Sequence, residues 1–96
     1  MTRKEQIETE AIARENVLRE VAAERRRQDA KWGGPEHDDP HQFADWHRFI
    51  NVRLARTASA DTKTTRKLFI QIAALEIAAV GSIDRAAITK VEGSGA

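Results

Sequence analysis

The chain contains no cysteine and no tyrosine, and its only aromatic residues are two tryptophans and three phenylalanines. Without cysteine there are no disulfides and no thiolate metal ligands, and a cytoplasmic setting is expected. No apolar stretch resembling a signal peptide opens MTRKEQIETE, so the protein is expected to stay where it is made. Valine and isoleucine nowhere alternate with polar residues, which removes the pattern of a half-buried strand. There is no glycine-rich phosphate loop, serine-nucleophile motif or Cys-His pair, so hydrolysis by covalent catalysis is not expected. The net charge of +1 argues against a general nucleic-acid coat.

What is present is helical in character. Hydrophobic residues make up 41% and charged residues 32% of the 96 positions, a balance that suits a folded helical domain and is too apolar for wholesale disorder. A chain this short forms one domain with a modest core, and such cores often need a partner subunit. A homo-oligomer is therefore expected, with apolar residues of the first and last helices at the contact. The organising stretch is Leu68 to Arg85, LFIQIAALEIAAVGSIDR, broken before Ser82 only by Gln71 and Glu76. It is too short and interrupted to span a membrane. Being apolar on nearly all sides, it reads as a central buried helix.

The expected fold is all-α, an antiparallel three-helix domain with this C-terminal helix at its centre. Residues 4–30 are rich in Glu, Arg and Ala with no Gly or Pro, and form the first helix, its first two turns frayed or packed on another subunit. Ile7, Ala11, Leu18, Val21 and Ala22 trace a narrow apolar stripe that Arg14 breaks. Glu20, Glu24 and Gln28 share another face. Gly33-Gly34-Pro35 stops the helix. Asp38 or Asp39 then caps a second helix over 40–57, with Pro40 at its first position. Thr62, Thr64 or Thr65 caps the last helix, 64–88, and residues 89–96 form a flexible tail. Gly81 inside that helix marks a close helix approach or a weak point.

Two charge blocks adjoin. From Glu36 to Asp45 there are four acids and no Lys or Arg, and from Arg48 to Lys67 there are six basic residues against Asp61 alone. His37-Asp38-Asp39-x-His41, joined by Glu24 if the glycines fold the loop back over the first helix, is a candidate site for a divalent metal such as magnesium, manganese or zinc. The alternatives are that the aspartates cap a helix, or that Arg25, Arg27 and Arg53 complete an ion-pair network. His47 is a further ligand or a surface residue. Arg48, Arg53, Arg56, Lys63, Arg66 and Lys67 are candidate phosphate binders. Gln28 and Glu76 are expected as buried polar groups, Glu76 metal-bound, protonated or paired with Arg25 or Arg53. Trp32 and Trp46 flank the loop, as core anchors or as surfaces on which a base stacks.

The residues Glu24-Arg25-x-Arg27-Gln28, Trp32-Gly33, His37-Asp38-Asp39-x-His41, Ala73-Ala74-Leu75 and Asp84-Arg85 resemble a group of small phage and prophage proteins, over roughly residues 17–86. A weaker similarity is to MazG-like, all-α nucleoside triphosphate pyrophosphohydrolases. That family pairs Glu-x-x-Glu on one helix with Glu-x-x-Asp on the next to hold magnesium over the triphosphate. Here Glu5-x-x-Glu8 matches the first by letters, and Glu76 with Asp84 has another spacing. The first resemblance implies an accessory protein in the host cytoplasm that binds a nucleotide or a host protein without catalytic motifs. The second implies a metal-dependent nucleotide hydrolase. DNA is not an expected partner, because no helix carries the side chains of a recognition helix.

Overall fold

In the computed structural model, which describes the backbone of residues 1–94 and the side chains of residues 1–89, the chain is all-helical, and the described residues contain no strand. Helix α1 runs Arg3–Trp32, α2 is a single turn, Pro35–Asp38, α3 runs Phe43–Thr57 and α4 runs Thr62–Ser94. No helix among the described residues is long and apolar enough to cross a membrane.

Helix α1 starts earlier than its composition suggests, and its first turns are helical. Thr2 caps it, the Thr2 hydroxyl accepting from the Glu5 N–H at 3.2 Å. The end follows from glycine chemistry. Gly33 has φ +110°, a left-handed conformation that L side chains rarely adopt, and its N–H donates to the Asp29 carbonyl at 2.8 Å. Gly34, also at positive φ, turns the chain directly into Pro35 at the head of α2.

This turn corrects the expected start of the next helix. Pro35, not Pro40, takes a first helical position, and Asp38 and Asp39 are drawn onto arginines instead of capping. Helix α3 begins at Phe43, where the Asp45 carboxylate accepts from the Gln42 N–H at 2.9 Å. Helix α4 is likewise capped by Asp61 and not by a threonine: its carboxylate accepts from the Thr64 N–H at 2.8 Å. Those hydrogen bonds from Thr64 hold the Asp61 carboxyl below its ordinary pKa. The helix extends through residues expected as tail, up to Ser94, while 95–96 lie outside the described residues.

Helix α4 packs against each of the other three. Its inward face carries Leu68, Ile72, Leu75 and Ala78, which bury with Val21 of α1 and Trp46 of α3. The expectation of an all-round buried helix fails on the opposite face, where Phe69, Ile77, Val80 and Ile83 are exposed. Glu76 lies on that face and is exposed, so it is neither a buried polar group nor a partner of Arg25 or Arg53. Three helices cover only part of a fourth. The core is correspondingly small, centred on Trp46, Leu75 and Ala78, with Trp32, Phe49 and Ile50 against it.

Candidate functional site

The C-terminal half of α1 supplies a polar spine. Gln28 is 1% exposed, and its amide is satisfied from three sides: it donates to Glu24 at 3.0 Å and to the Gln71 carbonyl at 3.3 Å, and accepts from Arg25 at 3.0 Å. Arg25 is the hub. Its guanidinium also reaches Asp29, one turn on, and Asp38, across the glycine turn, at 2.5 Å. The side chains of Arg25 and Asp38 are 14% and 7% exposed, so each charge depends on the other for compensation. The expected burial of Gln28 holds. The glycine turn does fold back over α1, but it brings Asp38 to Arg25 and not to Glu24 or Gln28.

The five candidate metal ligands separate. Glu24 is taken by Arg27, at 2.8 and 2.7 Å, and those hydrogen bonds lower its pKa. Asp39 is taken by Arg85 of α4 in a two-pronged contact at 2.9 and 2.7 Å, which lowers its pKa too. His37, Asp38 and His41 remain together, one donor atom from each within 4.8 Å of the others. Two imidazoles and a carboxylate form a donor set suited to manganese, iron or zinc. A cation there would compete with Arg25 for Asp38. The histidines also pack as rings, His41 edge-on to His37 at 4.8 Å and to Trp46 and Phe49 at 5.2 Å each. His47 is exposed.

Beside this cluster lies a cavity of about 330 Å³ between α1, α3 and α4. Trp32, Trp46, Phe49 and Leu75 form its apolar wall, and Arg25, Asp38, His37, His41 and Arg53 its polar groups. Arg53 has a specific incompleteness. One of its terminal nitrogens donates to the Phe49 carbonyl at 3.0 Å and its guanidinium lies 6.0 Å from the Trp32 ring, but its Nε is buried without a partner among the described residues. Burial first, and then the charge of Arg56, push the Arg53 pKa below its ordinary value. A partly buried cation with an unused, buried donor is stabilised by an incoming anion.

The six basic residues expected to hold phosphate do not converge. Arg53 alone lines the cavity. Arg48 pairs with Asp45 at 3.5 Å and lies over Phe49, and Arg66 is taken by Glu20 of α1. Arg56, Lys63 and Lys67 are exposed. A run of charge in sequence spread over two helices points in several directions.

The cavity's apolar wall is formed by residues that charge patterning did not collect. Trp32 and Trp46 were identifiable from their places around the loop, whereas Phe49 and Leu75 read only as helix-face residues. Arg25 has one local signal, its three- and four-residue spacing to Gln28 and Asp29, which puts an arginine, an amide and a carboxylate on one face. No protein-family model, no curated protein and no solved structure matches this chain.

Proposed function

We propose that this protein is a small binding module whose cavity takes a nucleotide, the base against Trp32, Trp46 and Phe49 and an anionic oxygen on Arg53. The observation that carries the reading is the unpartnered buried Nε of Arg53 at the edge of an aromatic wall. The cavity is near the lower end of the range typical of small-molecule sites, large enough for a base and its sugar. Arg25 is less available, since Asp29 and Asp38 already balance it. Binding without turnover, as in a phage-type accessory protein of the host cytoplasm, is consistent with the dispersal of Glu24 and Asp39 onto arginines. The resemblance to small phage proteins supports the same reading, and a host protein is the other partner class it suggests.

The test exploits composition. Both tryptophans line the cavity and there is no tyrosine, so intrinsic fluorescence reports on this site alone. Titration with a panel of nucleotides should change the emission, and Arg53→Ala should weaken binding roughly tenfold or more, as expected for loss of a charge-assisted contact. No spectral change with any nucleotide, in a folded protein, removes the reading.

The donor set of His37, Asp38 and His41 supports a second reading, a divalent-metal-dependent nucleotide hydrolase. In that case the metal would activate water and neutralise phosphate charge. Calorimetry with magnesium, manganese and zinc, followed by mass spectrometry of the nucleotide products, separates the two. Turnover lost in His41→Ala would establish the hydrolase.

A further inference from the structure

We propose that the N-terminal half of α1 is an arm that docks on the uncovered face of α4 in a second copy of the chain. The Cα radius of gyration is 16.9 Å and the longest dimension 59 Å, against about 12–13 Å for the radius of a compact domain of this length. Part of the excess comes from α1. Glu20 pairs with Arg66 in the second turn of α4, so the N-terminal residues of α1 extend past the start of α4 by about 20 Å. Every residue from 1 to 20 is exposed, including Ile7, Ile12, Val17 and Leu18. An isolated helix of that length is marginal in water, and this one presents branched apolar side chains to solvent.

The occupant follows from matching patterns. Along the arm, Ile7, Ala11, Arg14 and Leu18 fall at steps of four, three and four residues, with one cation inside the apolar stripe. Along α4, Phe69, Ala73, Glu76 and Val80 fall at the same steps, with one anion at the same place. Phe69, Glu76 and Val80 are exposed, and neither Arg14 nor Glu76 has an ion-pair partner among the described residues. Each stripe therefore carries what the other lacks.

A two-fold axis perpendicular to the helices would lay each arm antiparallel on the other copy's α4, and the two contacts would be identical. Ile7 would then lie over Val80 and Leu18 over Phe69, with Arg14 about 4.5 Å along the axis from Glu76. That offset is within reach of an arginine. Arm and α4 face are both away from the nucleotide cavity, so this interface stands or falls independently of the binding reading.

Sedimentation of the full chain should give twice the 10.8 kDa mass at micromolar concentration. Arg14→Glu and Glu76→Arg should each weaken the dimer at least tenfold, and the two together should restore it. Because the chain has no cysteine, an equimolar mixture of Leu18→Cys and Phe69→Cys proteins should form the mixed disulfide under oxidation. A monomer at these concentrations overturns the proposal. So does a dimer that tolerates Glu76→Arg and cross-links only Leu18→Cys to itself, which would be arm-to-arm pairing.

Discussion

The two halves of α1 have nearly the same composition and opposite circumstances. Residues 3–19 carry Glu, Arg and scattered isoleucines and are exposed throughout, whereas residues 21–32 carry Glu, Arg and Gln and contain the buried Val21 and Gln28. Composition alone does not decide which half packs. Gln28 and Arg25 can leave solvent because they find partners on α4 and α2, while isolated apolar residues of the arm find none within the chain. Burial here is decided by what the neighbouring elements offer, more than by hydropathy.

The sharpest way to break this comparison is to remove the hub of the packed half. Arg25→Ala strips Asp38 of its cation and leaves Gln28 with an unmet acceptor. Breaking a buried pair of this kind costs about 3–5 kcal/mol, which for a domain of this size lowers the melting temperature by roughly ten degrees or more. In the other half, Arg19→Ala loses only exposed contacts, at 3.8 Å to Glu15 and 2.9 Å to Asn16, and should leave the melting temperature unchanged. Thermal denaturation of both variants at equal concentration decides it. Similar losses would show that the arm belongs to the same cooperative unit.

A second, smaller contrast lies in two glycines. Gly33→Ala should destabilise by about 1–2 kcal/mol, because φ +110° is strained for any L side chain. Gly81 lies in ordinary helix, where alanine gains roughly 0.5–1 kcal/mol over glycine. The added Cβ would meet only the tip of Arg85, at 3.3 Å, a flexible group able to give way. Gly81→Ala should therefore leave the melting temperature level or raise it. A fall comparable to that of Gly33→Ala would mean that Arg85 is held too firmly by Asp39 to move.

These positions also show which features were legible beforehand. The stop at Gly33-Gly34-Pro35 was readable because positive φ and a proline are properties of single residues. Helicity and the importance of Leu68 to Arg85 were readable because apolar density is local. The start of α3 was not, because an aspartate suits a helix cap and an ion pair equally, and only the folded chain brings Arg25 and Arg85 to Asp38 and Asp39. Glu76 was misread for a related reason: an almost wholly apolar helix gives no sign of which side its own chain leaves bare. Arg25 and Asp38 lie thirteen residues apart around a reversal, beyond any helix-face periodicity. The cavity needed three helices in place before Trp32, Phe49 and Leu75 shared a wall.

The smallest expected effect concerns acid. Asp39 and Glu24 are held below the ordinary carboxylate range, chiefly by hydrogen bonds from Arg85 and Arg27 respectively, and Glu20 by Arg66. A carboxyl with a lower pKa folded than unfolded binds fewer protons in the native state, so its contribution is complete above its unfolded value, 3.8 for Asp39 and 4.5 for the glutamates. It is lost as pH falls through the folded value. The melting temperature should therefore be level above about pH 5 from this source and decline below it. Asp39→Asn and Glu24→Gln, which cannot titrate, should each start from a slightly lower plateau and show a shallower decline. Asp39 and its arginine are solvent-screened, so its share should be the lesser of the two. Melting curves from pH 7 to pH 3 test this, and an undiminished acid slope in the double variant would place the acid sensitivity in other carboxylates.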